Sequence, residues 1–266
     1  PALIASKLLK VPYMMHDCDA QPGLVTRKLS SGAKCVSVAF EKACKFINNK
    51  NCKVNGNPIR AAFKTLTKES AREILGLENK TTLLIMGGSQ GARTINDATV
   101  GAIKTFSKDL NLQIIFQTGK KNYDRVIEQL IRDYPQYESD KNIIVRPYFE
   151  DMVTALKASD IAISRSGSLS ISEICASGIA PIFVPYPHAA ADHQRKNAKF
   201  IVEKNAGLYI EDKEATEKNF VEAVSCLVND KSRLETLQKN SLALAKFDGT
   251  EKIVEQLKAI VNGKNL

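Results

Sequence analysis

From Thr82 onward the chain alternates short, largely apolar runs with longer stretches in which apolar residues recur every three to four positions. The runs Leu83 to Met86, Gln113 to Gln117, Asn142 to Val145, Asp160 to Ser164, Pro181 to Val184 and Gly207 to Ile210 have the length and composition of strands buried on both faces. The stretch from Ala92 to Phe106 puts Ile95, Thr99, Ala102, Ile103 and Phe106 on one helical face. Strands and helices in strict alternation predict a parallel sheet covered on both sides, the doubly wound α/β class.

Before Thr82 the rhythm is shorter. Tyr13 to His16, Cys35 to Val38 and Cys52 to Val54 read as strands, with a helix over Glu41 to Ile47 between the last two. Asn57-Pro58 interrupts the pattern, and a helix is expected over Thr65 to Leu75, stopped by Gly76. These signals place a boundary near Arg60 and divide the chain into 1–60, 61–246 and a tail, 247–266. The tail carries Ile253, Val254, Leu257, Ile260 and Val261 on one stripe, suited to packing on another domain. Helical spacing already runs from Ala2 to Leu9, so the chain is expected to begin inside a domain.

Composition narrows the classes. With 266 residues, 44% hydrophobic and 25% charged, the chain is globular rather than disordered. No apolar segment reaches the roughly 18 residues that span a bilayer, and no signal peptide opens the chain, so a cytosolic protein is expected. Six cysteines, at 18, 35, 44, 52, 175 and 226, form no metal-spaced pair and read as reduced, mostly buried small apolar residues. The net charge of +9 fits an anionic partner or an acidic membrane surface, although lysine-rich solvated helix faces produce the same number. Tryptophan is absent and no basic run interleaves with aromatics, so nucleic acid is not indicated.

The chemistry concentrates at two strand-to-helix junctions. Gly87-Gly88-Ser89-Gln90-Gly91 follows one apolar run, and Arg165-Ser166-Gly167-Ser168 follows another. Such junctions point backbone N–H groups and a helix dipole at an anion, and two of them on neighbouring strands would frame a nucleotide cleft. No Gly-Lys-Ser/Thr follows the first, which excludes a Walker loop. The next strand ends in Gln117-Thr118-Gly119 without a carboxylate for a dinucleotide ribose.

Together with Asp192-His193-Gln194, Asn197-Ala198 and Gly56-Asn57-Pro58-Ile59-Arg60, these motifs, in this order, resemble the MurG family of peptidoglycan glycosyltransferases. Members transfer N-acetylglucosamine from its UDP donor to an undecaprenyl-pyrophosphoryl-muramoyl-pentapeptide lipid. The resemblance implies an α/β fold of the GT-B type, two Rossmann-like doubly wound domains with the first truncated here. Residues 1–60 would then be the remainder of the acceptor-side domain, 61–246 the UDP-sugar domain, and 247–266 a helix returning to the first. The family's own N-terminal glycine-rich loop, with its histidine, would lie upstream of Pro1. The enzyme would sit on the inner face of the bacterial cell membrane, and no cofactor is implied.

Residue by residue, the resemblance assigns donor binding to Asp19, Arg60, Ser89, Phe149, Ser168, Leu169, Glu173, His193 and Gln194. Ser89 would bond the donor pyrophosphate; its structural alternative is a cap for the following helix. Arg60 would offset pyrophosphate charge. Glu173 would accept two ribose hydroxyls, yet Ser170-Ile171-Ser172-Glu173 also reads as a capping box. Phe149 stands where backbone reads the uracil edge, Ser168 and Leu169 at a helix start against phosphate and sugar, and His193 and Gln194 where polar groups meet the donor sugar. Asp192 would otherwise cap an exposed helix start.

One motif departs from the family. His16-Asp17-Cys18-Asp19 stands where His-Glu-x-Asn is common, so Asp19 replaces an asparagine and can accept but not donate. Asp17-Cys18-Asp19 imitates an Asp-x-Asp metal site and is read as a decoy, with no metal expected. The implied reaction is an inverting displacement in which the muramoyl 4-hydroxyl attacks and UDP leaves, stabilised by helix N-termini, Ser89 and Arg60. His16, Asp17 and Asp19 are the candidates for its base, and the sequence does not choose among them. Two other readings remain: a UDP-N-acetylglucosamine 2-epimerase-like enzyme, and a truncated, non-catalytic UDP-sugar-binding remnant.

Overall fold

A computed structural model describes residues 1–263. The apolar runs form two parallel sheets. Strands β1 (Met14–Asp17), β2 (Cys35–Val38) and β3 (Cys52–Val54) make a three-stranded sheet in that order. Strands β4 (Thr82–Met86), β5 (Gln113–Gln117), β6 (Ile143–Arg146), β7 (Ile161–Ser164), β8 (Ala180–Phe183) and β9 (Leu208–Tyr209) make a six-stranded sheet ordered β6-β5-β4-β7-β8-β9. The register sets Met86 beside Gln117 on one side and beside Ser164 on the other, so the order reverses between β4 and β7. An open parallel sheet binds ligands at such a switch point, outside the carboxyl ends of the strands.

Neighbouring residues of a strand serve opposite faces. Leu83, Ile85, Ile114, Phe116, Ile161 and Ile163 join a core with the helices Arg93–Lys104, Tyr123–Asp133 and Glu217–Asn229. Leu84, Met86, Ile115, Ala162 and Phe183 join another with the helices Met152–Ala158, Ser168–Ser177 and His193–Glu203. The second core continues into Phe40 and Ala20, so the two sheets share apolar contact. Phe40 meets Phe200 edge to face at 5.2 Å, Lys42 pairs with Glu203 at 2.8 Å, and Glu41 pairs with Lys204.

Several boundaries differ from the sequence expectation. The helix expected over Glu41 to Ile47 is a 3-10 segment, Glu41–Phe46, and Cys44 within it is disulfide-bonded to Cys52. The cysteines are therefore not all reduced, and they are not all buried, since Cys226 is exposed and Cys18 half-buried. The Thr65 to Leu75 helix is two helices, Ala62–Thr65 and Lys68–Leu75; the Thr67 hydroxyl accepts from the amide of Ser70 and starts the second. The helix after the glycine turn is α over Arg93–Lys104 and closes with a π turn over Thr105–Asp109. The helix Gly249–Val261 contacts the turn after β3 and the helix Ala62–Thr65 through polar groups, with Ile253 and Ile260 of its stripe half-buried. Gln256 bonds Asn55 and Glu251 pairs with Lys64 at 2.6 Å, while Val254, Leu257 and Val261 are exposed.

Candidate active site

Both glycine junctions open at the β4/β7 switch point. The helix Arg93–Lys104 follows Ala92 and the helix Ser168–Ser177 follows Gly167, and neither takes a side-chain cap. Uncapped first turns leave N–H donors and the positive end of the dipole facing the cleft. The cap readings of Ser89 and Glu173 are thereby corrected: Ser89 lies exposed in the turn ahead of Ala92, and Glu173 lies mid-helix because that helix begins at Ser168. Ser170, the supposed cap, is itself inside the helix.

The glycine turn is shaped by close backbone approach. Gly88 and Gly91 have φ of 86° and 75°, and a Cβ on Gly91 would stand 2.1 Å from the carbonyl oxygen of Thr118. Gln117, buried at the end of β5, stitches the turn to the next loop: its Oε1 accepts from the Phe149 amide at 2.9 Å and its Nε2 donates to the Gly88 carbonyl at 3.4 Å. The Phe149 ring is buried and its N–H is taken by Gln117, which leaves the carbonyl as the free polar group of this position.

Across the cleft, Arg60 Nε lies 3.8 Å from Glu173 Oε1. Burial pushes the Glu173 carboxyl up and the Arg60 charge pulls it partly back. Leu169 stands exposed at the helix start beside buried Ser168. Gln194 is held by its neighbours, its Oε1 accepting from the Tyr186 amide at 2.9 Å and its carbonyl from the Ser166 hydroxyl at 2.8 Å. His193 Nδ1 lies 2.7 Å from the Ala190 carbonyl. Asp192 starts this helix at φ 58° and makes no side-chain cap, contrary to its cap reading; it accepts from Arg195 at 3.3 Å. Ala191 and Asp192 are consecutive non-glycine residues at positive φ, a strain that the surrounding loop must hold.

The front motif is occupied by its own structure. Asp17 Oδ1 accepts from the amide of Asp19 at 3.3 Å and Oδ2 from that of Gly23 at 3.1 Å, so it fixes the loop after β1. Asp19 Oδ1 accepts from Asn197 Nδ2 at 2.8 Å, and Asn197 Oδ1 accepts from the Ala20 amide at 2.8 Å. Both ring nitrogens of His16 are engaged, with Ser37 at 3.0 Å and Asn57 at 3.1 Å. Among the described residues no cluster of three His, Cys, Asp or Glu side chains is arranged to hold a metal.

Sequence reasoning passed over Asn57, Asn197, Gln117 and Arg165 as site builders. Arg165 Nη1 donates to the Val184 carbonyl at 3.0 Å and to Asp212 at 2.5 Å, tying together loops after three strands. Asn57 and Asn197 stood inside the quoted motifs, and their buried position is the signal that marks them.

The family described as glycosyltransferase family 28 C-terminal domain matches residues 82–257. A protein of Desulforamulus reducens named UDP-N-acetylglucosamine--N-acetylmuramyl-(pentapeptide) pyrophosphoryl-undecaprenol N-acetylglucosamine transferase is 33% identical over 98% of this chain and 71% of its own length. The crystal structure of MurG from Acinetobacter baumannii superposes with a TM-score of 0.77 at 26% identity, covering 97% of this chain and 70% of that one.

The chain belongs to the MurG family of glycosyltransferases. Its fold is accordingly of the GT-B type. A UDP-N-acetylglucosamine 2-epimerase from Neisseria meningitidis, crystallised with UDP-N-acetylglucosamine, also superposes, with a TM-score of 0.68 over 96% of this chain and 72% of its own. At 14% identity that likeness shows the fold alone.

Proposed function

We propose that this MurG-family chain binds UDP-N-acetylglucosamine at the β4/β7 switch point and belongs to an enzyme that transfers N-acetylglucosamine to the lipid-linked muramoyl-pentapeptide of peptidoglycan synthesis. The observation that carries the reading is the meeting of two uncapped helix starts with the Arg60–Glu173 pair at one crevice. Backbone N–H groups of the first turns, the Ser89 hydroxyl and Arg60 would receive the pyrophosphate, and they would stabilise the charge that develops on UDP as it leaves. Glu173 would accept the two ribose hydroxyls, the Phe149 backbone would read the base edge, and Ser168, Leu169, His193, Gln194 and Asp19 would border the sugar.

Attack by the muramoyl 4-hydroxyl from the opposite face gives inversion. Both ring nitrogens of His16 and both carboxylate oxygens of Asp17 are engaged, whereas Asp19 is held through Oδ1 alone and keeps its other oxygen for the part of base. We further read 1–60 as acceptor-side, 61–246 as donor-side and 247–266 as a helix joined to the first, with an anionic membrane surface as a partner of the whole.

Calorimetric titration with UDP and with UDP-N-acetylglucosamine, with and without chelator, tests the donor site. Binding of both, unchanged by chelator, is expected because helix termini and Arg60 supply the positive field. Binding restored only by a divalent ion would sink the assignment. Radiolabelled transfer to a lipid acceptor, run beside an epimerisation assay, separates the transferase from its fold relatives.

A further inference from the structure

A line of hydrogen bonds crosses the molecule from the last helix to the donor-side helix. Gln256 Oε1 accepts from Asn55 Nδ2 at 2.9 Å, and Asn55 Nδ2 also donates to Ser37 Oγ at 2.9 Å. Ser37 Oγ meets His16 Nδ1 at 3.0 Å, and His16 Nε2 meets Asn57 Oδ1 at 3.1 Å. Asn57 Nδ2 lies 3.0 Å from Ser172 Oγ, 3.3 Å from the Ser168 carbonyl and 3.4 Å from that of Cys18. Ser37, Asn55 and Asn57 are each at most 3% exposed, so these three partners are shielded from water although the His16 ring itself reaches the surface.

The line is pinned at its Asn57 end. Two carbonyl oxygens face Asn57 Nδ2, and turning the amide over would set oxygen against oxygen, so Oδ1 must face the imidazole and Nε2 must carry the proton. At the other end Gln256 and Asn55 exchange two amide hydrogen bonds, Gln256 Nε2 donating to Asn55 Oδ1 at 3.3 Å, while the Cys35 thiol lies closer to the Asn51 carbonyl, at 3.3 Å, than to Gln256 Oε1, at 3.5 Å. Ser37 Oγ then accepts a hydrogen bond from Asn55 Nδ2, leaving its own hydroxyl hydrogen for His16 Nδ1.

We propose that His16 is a positioning residue, held as the neutral Nε2–H imidazole, and that with Asn57 it ties the small sheet to the first turn of the helix Ser168–Ser177. Its Nδ1 lone pair is taken by Ser37 and its Nε2 proton by Asn57, so the ring has no free site with which to accept the proton of an attacking hydroxyl. Its effect on the donor passes through Ser168 and Ser172. The inference rests on the donor-site reading only in using UDP as a probe.

Two measurements on residues 1–266 test it. Spectra of 15N-histidine-labelled protein, with the His16 signals assigned by their loss in His16→Gln, are expected at neutral pH to show unprotonated Nδ1 and protonated Nε2, and Ser37→Ala should shift Nδ1. His16→Ala should weaken UDP binding by about tenfold, the size of one net hydrogen bond, and His16→Gln, which keeps a donor near the Nε2 position, should recover most of that loss. An Nδ1–H or doubly protonated ring, or UDP affinity untouched by His16→Ala, overturns the proposal. If the unaltered chain binds no UDP, the donor reading fails by itself and the spectra decide the imidazole's role.

Discussion

Glu173 shows how burial tunes a single group for recognition. Its carboxyl loses water in the cleft and gains only the partly exposed Arg60 at 3.8 Å, so its proton is held more tightly in the folded chain than in the unfolded one. The sign follows: the protonated form favours the fold below the ordinary carboxylate range, and that contribution is lost as pH rises through the raised value. Ribose binding needs the opposite state, the ionised acceptor. UDP affinity should therefore fall on acidification at a pH above the ordinary carboxylate range, and Glu173→Gln should remove that limb. Glu173→Ala should lower affinity by about 10- to 100-fold, as expected for hydrogen bonds to a charged group. Because no cap is lost, the melting temperature should hardly change. A fall in melting temperature with unchanged UDP affinity would make Glu173 a purely structural residue.

The glycine turn acts as an element because its backbone touches the next one. Gly119, at φ 82°, would bring a Cβ to 2.4 Å from the Gly91 amide, and a Cβ on Gly91 would strike Thr118 in return. Gly91→Ala should cost about 1–3 kcal/mol by overpacking alone and displace the anion-facing amides, so stability and UDP affinity should fall together. Retained UDP affinity in a destabilised Gly91→Ala would detach the turn from the donor site. The same elements show what the sequence can carry. The strands of the six-stranded sheet were legible to within about two residues at each end, because each is a buried run between punctuating residues. The region before Thr82 was less so: nothing local joins Cys44 to Cys52, and that bond accompanies a 3-10 segment where periodicity suggested an α-helix. Motif residues were legible, but their partners were not. Asn57 finds Ser168 and Asn197 finds Asp19 across more than a hundred residues, through a fold that no local pattern encodes.

At the scale of the whole molecule, the excess of +9 is not neutralised within the fold and is available to an anionic partner. No helix among the described residues is long and apolar enough to cross a membrane. One end of the small sheet has the chemistry for a surface. Lys7, Lys10 and Lys34 line a cavity of about 660 Å³ there, beside Leu8, Leu9 and Val11, which are 77%, 74% and 52% exposed. A basic residue near an anionic bilayer contributes about 1 kcal/mol, and the attraction fades within a Debye length. Co-sedimentation should therefore show binding to vesicles containing phosphatidylglycerol at about 0.1 M salt, loss of most of it near 1 M, and little binding to zwitterionic vesicles. The triple variant Lys7→Glu, Lys10→Glu, Lys34→Glu should reduce vesicle binding while leaving UDP affinity as it was, because these lysines belong to the small sheet's end and not to the β4/β7 crevice. Equal binding to both vesicle types, or binding that survives high salt, would mean that apolar contact rather than charge holds the chain to lipid.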